Sequence, residues 1–235
     1  DLAIRQHDTF KRILTLYNPN CIIELTDCLE HIFENEVIRE DFIEIYFDNE
    51  YLNHIKSLDV SELIDVILTG YLPLKSQSIN KPLPNLLFTR DIAVVIGKKI
   101  ILTYSKFQAR RNEYLISKFI FMYHPMFKEV DIIDFRELSN GLSLEGGDVF
   151  IVNNEILAIG ISERTPRQSI EIIKSIVFEE GFRIIIGIDL PKKRSMMHLD
   201  TIFTIIDTDK AIVFDHDMQK VNDLPIYISE KASNS

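Results

Sequence analysis

The sequence predicts an α/β fold built from a repeated unit of β-hairpin, helix and strand. Three segments share one pattern, in which an acidic residue precedes an apolar strand, a tight turn and a second apolar strand. The acids that open them are Asp91, Asp148 and Asp200. Self-similarity of this kind is the signature of a repeated supersecondary unit. If the units pack around an axis, their equivalent positions converge, so we expect these acids to lie close together.

Composition narrows the class of protein. The 235 residues are 46% apolar and 26% charged, which suits a folded core with an ordinary surface. The net charge of −10 argues against nucleic acid as a partner, because nucleic-acid binding needs clustered Lys and Arg. No apolar run is long enough to span a membrane, so we expect no membrane partner. Cys21 and Cys28 form neither a disulfide framework nor a metal motif, and we expect a cytoplasmic protein.

The first part of the chain is expected to be mostly helical. Apolar spacing predicts a helix over 1–18, and residues 21–25 are predicted to form a short buried strand. We assign these first 25 residues to part of the first repeat. Helical periodicity dominates 26–78, with an N-cap at Thr26-Asp27 and a C-cap at Gly70. We interpret this segment as a small helical subdomain inserted in the repeat.

Residues 79–235 are predicted to hold the further repeats, with the last one absent. In the first full copy, the hairpin after Asp91 is followed by a helix over 108–122 and a strand near 130–135. In the second copy the helix is expected over 166–180, before a strand that starts at Arg183. The third copy ends after its hairpin.

The acids of the repeats have unusual neighbours. Glu145 precedes a Gly-Gly pair and Asp148, and His198 lies two residues before Asp200. Carboxylates gathered around one histidine form a site for a cation, and the histidine could transfer protons. A single Asp at a strand start is more often a turn or capping residue, an interpretation that suits Asp148 better than Asp91 or Asp200.

Two arginines recur at the same distance after these acids. Arg110 follows Asp91, and Arg164 follows Glu145, each in the loop before a helix. Guanidinium groups bind carboxylates in a bidentate manner, so the inferred site has acids at one end and arginines at the other. That arrangement suits an amino acid with a cationic side chain, and a guanidinium matches paired carboxylates best.

A divalent metal site is the rival interpretation of the same acids. Asp91, Glu145, His198 and Asp200 could together supply mixed nitrogen and oxygen ligands. No second histidine falls at an equivalent place in any repeat, and the two arginines would be poor neighbours for a bound cation. We therefore expect no metal.

Several motifs together resemble the arginine deiminase family of the guanidine-modifying (pentein) superfamily, over nearly the whole chain. They are Asn85-Leu-Leu-Phe88-Thr89-Arg90-Asp91, Arg110-x-x-Glu113, Leu144-Glu145-Gly146-Gly147-Asp148, Gly160-x-Ser162-Glu163-Arg164-Thr165 and Met197-His198-Leu199-Asp200-Thr201. The resemblance implies a pentein-type α/β propeller of ββαβ units with an inserted helical subdomain, incomplete at both ends in this chain.

The resemblance also implies a reaction, the hydrolysis of L-arginine to L-citrulline and ammonia through a cysteine thiouronium intermediate, with no cofactor. By resemblance, Asp91 and Asp200 hold the substrate guanidinium, while Glu145 and His198 assist the chemistry. The remaining matches are expected to bind substrate: Arg110 and Arg164 clamp the α-carboxylate, and Asn85 and Phe88 line the pocket.

The sequence departs from the family pattern at the nucleophile. The family's catalytic cysteine lies in a C-terminal segment that this sequence does not include, and neither Cys21 nor Cys28 matches it. Ile92 also replaces the usual proline after the Phe-Thr-Arg-Asp motif. We therefore expect this chain alone to be inactive.

Two hypotheses follow. In the first, the chain is a segment of a working enzyme. In the second, it is a non-catalytic paralogue that binds arginine or depends on a partner, such as a second copy or a complementing C-terminal fragment. An open propeller would expose strand edges, which favours a partner that covers them.

Overall fold

The computed structural model describes residues 2–19, 22–73, 76–83, 85–214 and 224–232. The chain divides into two compact units. One consists of Asp1–Pro82 with Tyr123–Pro125, and the other of Leu83–Met122 with Met126–Ser235. Among the described residues, no helix is both long and apolar enough to cross a membrane.

The first unit is helical, as the periodicity predicts. Its core is formed by buried side chains that include Leu29, Phe33, Phe42 and Leu63, whereas the helix over Leu2–Tyr17 buries none of its residues. A two-stranded ribbon follows the helices. The elements are α1 (Leu2–Tyr17), α2 (Leu25–Phe33), α3 (Glu36–Tyr46), α4 (Leu52–Ile55), α5 (Val60–Thr69), β1 (Tyr71–Leu72) and β2 (Gln77–Ser78).

Caps fix the ends of α3 and α5. The Asn35 side chain accepts hydrogen bonds from the first backbone N–H groups of α3. Asp59 and Glu62 form a reciprocal capping box at the start of α5. Gly70 ends α5 in the left-handed conformation, at φ 67°, so the predicted C-cap is confirmed.

The start of α2 differs from the prediction. Residues 22–24 form no strand, and the helix already begins at Leu25, so the predicted Thr26-Asp27 cap lies inside it. The predicted strand is wrong over the described positions, and Cys21 lies outside the described residues. The physical reason is that Cys28, Leu29, Ile32 and Phe33 form one buried helical face.

The second unit contains the repeats. In each copy two antiparallel strands form a hairpin, and in the first two copies a helix leads to a third strand parallel to the second. Among the described residues, the third copy contributes a hairpin. The elements are β3 (Ala93–Ile96), β4 (Lys99–Leu102), α6 (Arg111–Tyr123), β5 (Asp131–Asp134), α7 (Phe135–Ser139), β6 (Val149–Ile151), β7 (Ile156–Ile161), α8 (Arg167–Glu179), β8 (Ile184–Asp189), β9 (Phe203–Asp207), β10 (Lys210–Val213) and β11 (Ile226–Glu230).

Strand β11 extends the second repeat. It pairs antiparallel with β8, giving a four-stranded sheet in the order β11-β8-β7-β6. The first repeat forms a three-stranded sheet in the order β3-β4-β5. Fully buried side chains such as Ile101, Leu157, Ile173 and Ile185 join both repeats in one core, whereas β10 is exposed along its length.

The first hairpin is tied to the end of α8. The backbone N–H of Lys98 donates to Glu180 Oε2 at 2.8 Å, and Lys99 Nζ lies 2.9 Å from Glu179 Oε2. A Cβ at Gly97 would overlap the Glu180 side chain, and Gly97 has a φ of 59°. The turn therefore requires glycine both for its conformation and for this close approach.

Candidate functional site

The lead acids of the three repeats all lie in short 3-10 turns that precede a hairpin. The turns are Thr89–Asp91, Gly146–Asp148 and Leu199–Thr201. They converge so closely that a Cβ on Gly147 would lie 2.8 Å from His198 Nδ1 and 2.9 Å from both Asp91 Oδ1 and Asp200 Oδ2. Such a contact requires a shift, so glycine at position 147 is what lets the three side chains meet.

His198 and Glu145 form the buried centre of the cluster. His198 Nε2 lies 2.7 Å from Glu145 Oε2, and His198 Nδ1 lies 3.7 Å from Asp91 Oδ1 and 4.0 Å from Asp200 Oδ1. Burial alone would lower the pKa of His198, but the hydrogen bond to Glu145 and the charges of Asp148, Asp91 and Glu145 raise it above its usual value. The imidazole is therefore biased towards its protonated form.

Glu145, by contrast, is biased towards its ionised form. Burial alone would raise its pKa, but hydrogen bonds from His198 and Ser105, together with the charges of His198 and Arg164, lower it. Ser105 Oγ donates to Glu145 Oε1 at 2.6 Å, and the Lys106 N–H donates to the same oxygen at 3.2 Å. Sequence reasoning missed Ser105, because a lone serine after a strand carries no motif.

The Asp91 carboxylate contacts a backbone N–H group with one oxygen and an arginine with the other. Its Oδ1 accepts from the Gly147 N–H at 3.1 Å, and its Oδ2 pairs with Arg110 Nη1. Arg110 is buried, and its Nε donates to Glu113 Oε2 at 2.8 Å. In this structure the Arg110 guanidinium is engaged by two carboxylates, and its predicted contact with a substrate carboxylate stays a prediction.

Asp200 is the more accessible acid of the cluster. Its side chain is 28% exposed, against 11% for Asp91. Arg90 Nε lies 3.6 Å from Asp200 Oδ2, while its guanidinium lies over the Phe150 ring and donates to the Val149 carbonyl. Arg90 is therefore an ion-pair partner of Asp200. Burial raises the pKa of Asp200, Asp91 adds to the rise, and His198 opposes it.

Asp148 does not face the pocket. It is fully buried, and its oxygens accept from Ser162 Oγ at 2.7 Å and from the Leu199 N–H at 3.0 Å. Burial raises its pKa to about 6, against the hydrogen bonds that it accepts. Asp148 thus fixes the turn that carries His198 and Asp200, in line with the interpretation of Asp148 as a turn residue.

A pocket of about 990 Å³ opens above the cluster. It is lined by seven of the eight predicted site residues, namely Asn85, Phe88, Asp91, Arg110, Arg164, His198 and Asp200. Glu145 lines a smaller cavity of about 10 Å³ behind them. The pocket lining also includes residues that sequence reasoning did not assign to the site: Leu87, Thr89, Arg90, Phe107, Glu163, Arg194, Met197 and Thr201.

Arg164 is another cation of the pocket lining. Its guanidinium lies over the Phe107 ring at 4.0 Å, with Nη1 3.5 Å from Glu145 Oε2. The side chain is 20% exposed, and its Nη2 lies 3.8 Å from Met197 Sδ. Phe107 therefore supports Arg164 from one side and Glu145 pairs with it, while the assignment of acids and arginines to opposite ends of the pocket stays a prediction.

Asp91, His198 and Asp200 could also hold a metal ion, because one ligand atom from each lies within 4.8 Å of the others. Two arginines already pair with these carboxylates, Arg110 with Asp91 and Arg90 with Asp200. Their charges oppose a divalent ion, whereas a guanidinium can share the remaining oxygens as a planar hydrogen-bond donor.

Comparison with known proteins identifies the family. The family described as arginine deiminase matches residues 74–235. The chain belongs to the arginine deiminase family. The arginine deiminase of Staphylococcus haemolyticus is 31% identical over 257 residues, and that of Staphylococcus aureus strain MRSA252 is 30% identical over 258 residues. The alignments cover 97% and 98% of this chain and 62% of each relative, so the chain spans about 62% of their length.

Solved structures of similar proteins include the N-terminal domain of ArgZ, an arginine dihydrolase of cyanobacteria, bound to product. It is 22% identical, with a TM-score of 0.48, over 60% of this chain and 50% of that one. A DDAH of Pseudomonas aeruginosa complexed with citrulline is 18% identical, with a TM-score of 0.44, over 57% of this chain and 48% of the other.

Proposed function

We propose that this chain carries the substrate-binding part of an arginine deiminase, and that the complete protein hydrolyses L-arginine to L-citrulline and ammonia. The observation that carries the proposal is a pocket lined by both carboxylates and arginines. Asp91, His198 and Asp200 meet beside Gly147 at the end assigned to the guanidinium, and Arg164, which pairs with Glu145, is assigned to the other end. A free amino acid with a guanidinium side chain matches both ends.

The acid end is assigned to the guanidinium. Asp91 Oδ1 and the Asp200 carboxylate point to the same place beside Gly147, so two acceptors can receive the planar N–H groups of the substrate. The carboxylate end is assigned to Arg164, which is partly exposed and stacked on Phe107. Asn85 and Phe88 line the space beside these groups.

The His198–Glu145 pair is assigned to proton transfer. In the proposed reaction, a cysteine thiolate attacks the guanidinium carbon, and the protonated His198 gives a proton to the ammonia that leaves. The neutral imidazole then takes a proton from the water that attacks the thiouronium carbon. The thiolate then departs, the hydroxyl group on the same carbon loses its proton to solvent, and citrulline remains. Glu145 stays ionised and stabilises the imidazolium.

The thiolate is proposed to come from a segment outside this chain. Cys28 is buried in the helical unit, and the described lining of the pocket contains no cysteine. We also propose that the repeats are blades of a pentein-type propeller, which the convergence of the three turns supports.

Dependence on a partner is the second candidate, and the exposed third hairpin favours it. Ile206, Ile212 and Val213 of β9 and β10 are each about half exposed. Apolar residues exposed along a strand pair are typical of a surface that another segment covers. In this alternative the chain binds arginine but does not catalyse alone.

Calorimetry of L-arginine binding to the chain tests the proposal. Agmatine, which lacks the α-carboxylate, and L-lysine, which lacks the planar fork, are the comparison ligands. We expect L-arginine to bind most tightly, and Arg164→Ala to weaken L-arginine but not agmatine. L-arginine that binds no better than L-lysine would contradict the assignment of the pocket. An assay of citrulline release by the complete protein would then show whether the chain alone fails to bind L-arginine or whether the substrate is a different compound.

A further inference from the structure

Arg90 lines the pocket, but the proposed reaction gives it no part. It lies in the Thr89–Asp91 turn of the first repeat, and its side chain is 51% exposed. Its backbone carbonyl approaches the second repeat so closely that a Cβ on Gly146 would overlap it. Glycine at position 146 therefore lets the two turns pack together, and this contact fixes the place from which the Arg90 side chain extends.

The Arg90 side chain is anchored on the second repeat. Its Nη2 donates to the Val149 carbonyl at 2.9 Å, and its guanidinium lies over the Phe150 ring, 4.5 Å from the centroid. Phe150 is itself buried, and it packs edge-on against Phe203 of the third hairpin, with 5.7 Å between the ring centroids. One hydrogen bond and one cation–π contact thus hold the guanidinium in a defined direction, although the side chain is half exposed.

The anchored guanidinium faces Asp200 of the third repeat. Arg90 Nε lies 3.6 Å from Asp200 Oδ2, which is close enough for an ion pair but beyond the length of a hydrogen bond. This nitrogen therefore places positive charge beside the carboxylate without donating to it. Asp200 benefits from such a charge, because burial and the nearby Asp91 raise its pKa, whereas His198 and Arg90 lower it.

We propose that Arg90 is a positioning residue, which holds the Asp200 carboxylate at the guanidinium end of the pocket and leaves its oxygens free for the substrate. This inference rests on the proposed arginine-binding function. It differs from a competing role, in which the Arg90 cation would occupy Asp200 and oppose a substrate that carries the same charge. The geometry favours positioning, because the hydrogen bond of the Arg90 guanidinium goes to Val149, while the contact with Asp200 is longer.

Two variants of Arg90 test the inference in a comparison of L-arginine with agmatine. Arg90→Met keeps an extended side chain and removes the charge and the donors, whereas Arg90→Lys keeps the charge without the planar fork. We expect Arg90→Met to weaken both ligands by a similar factor, about fivefold, which is the upper end for a partly exposed ion pair. We expect Arg90→Lys to lose less with both ligands. Arg183→Met, which removes an exposed, ion-paired arginine outside the pocket lining, is the matched control and should bind both ligands as the wild type does.

Tighter binding of both ligands by Arg90→Met would overturn the inference, because it would show that Arg90 competes with the substrate for Asp200. A loss confined to L-arginine would also overturn it, since agmatine lacks the α-carboxylate and keeps the guanidinium. Unchanged affinity for both ligands in a folded Arg90→Met chain would do the same. If Arg90→Met does not fold, Arg90→Lys decides: weaker binding of both ligands supports the inference, and binding as tight as in the wild type or tighter opposes it.

A second readout needs no ligand. Asp91, His198 and Arg90 face Asp200, and of these His198 and Arg90 lower its pKa. Arg90→Met should therefore raise the pKa of Asp200, measured by NMR of its carboxyl carbon, while Arg90→Lys should raise it less and Arg183→Met should leave it unchanged. An unchanged pKa of Asp200 in Arg90→Met contradicts the inference. A wild-type chain that binds neither ligand would reject the proposed function, while this titration still decides whether Arg90 acts on Asp200.

Discussion

Asp91 and Asp148 occupy the same position in successive repeats, as the last residue of the 3-10 turn before a hairpin. Asp91 lines the pocket and pairs with Arg110, whereas Asp148 is fully buried and holds the turn of His198. The difference comes from Gly147, the residue that precedes Asp148. Gly147 offers Asp91 a backbone N–H and leaves space for the side chains of the other two turns. A repeat therefore dictates where an acid lies, and its neighbours decide what it does.

The second repeat still contributes a carboxylate to the site, but from another position. Glu145, at the residue before the turn, takes the place beside His198 that Asp148 leaves. Asp148 and Glu145 then contact the same segment from two sides, one at the Leu199 N–H and one at the His198 ring.

The largest expected effect follows from filling the space at Gly147. We expect Gly147→Ala to weaken L-arginine binding by about 100-fold or more, since its Cβ would displace Asp91, His198 and Asp200 together. Calorimetry measures the loss, and circular dichroism checks that the fold is retained. Binding within threefold of the wild type would show that the turns can separate without harm.

Removing the pocket-facing acid of the third repeat should come next. We expect Asp200→Asn to weaken L-arginine by about 10- to 100-fold, because a charge-assisted pair with the substrate is lost. Stability should change little, since the Asp200 side chain is 28% exposed. Asp207→Asn, at an exposed acid of the same hairpin, is the control. Equal affinities for the two variants would remove Asp200 from the guanidinium end.

The matched change at Asp148 should act on stability instead. We expect Asp148→Asn to lower the free energy of unfolding at pH 5 by about 2 kcal/mol, because the amide cannot keep both hydrogen bonds in their present geometry. Urea denaturation measures this loss. A variant as stable as the wild type at that pH would mean that Asp148 does not fix the turn.

The difference in stability between the wild type and Asp148→Asn should depend on pH. The folded pKa of Asp148 is raised to about 6 by burial, above the ordinary value of 3.8. The folded state therefore binds the proton more tightly, so this group adds stability as pH falls from 7 towards 4. We expect the free energy of unfolding of the wild type to exceed that of Asp148→Asn by a margin that grows as pH falls from 7 to 4. A constant difference would place the Asp148 pKa in its ordinary range.

Much of the fold could be predicted from periodicity. The three hairpins and the helices α1, α6 and α8 follow directly from apolar spacing and turn residues. Strand β11 was missed, because a single short apolar run gains its structure only by pairing with the edge of β8. The false strand before α2 shows the converse error, since a run of apolar residues can also start a helix.

The site was predicted as a set of residues rather than as a set of contacts. Recurring acids and arginines identified Asp91, Glu145, His198 and Asp200 as neighbours, and the structure brings them together, although their roles stay predictions. The residues that hydrogen-bond or ion-pair with these four side chains could not be predicted from the sequence. Ser105 acts on Glu145 from the loop after β4, and Arg90 pairs with Asp200 rather than with the adjacent Asp91. Such pairings depend on how the repeats pack, which spacing alone does not encode.

The tie between the first hairpin and the end of α8 has a consequence for how the array unfolds. Glu180, from the second repeat, accepts a backbone N–H of the first, and its side chain occupies the space beside Gly97. Deleting one repeat would break this contact and would expose the core that both repeats share. For the same reason, amide hydrogens of β4 and β7 should exchange through one shared opening event, rather than repeat by repeat as in a solenoid.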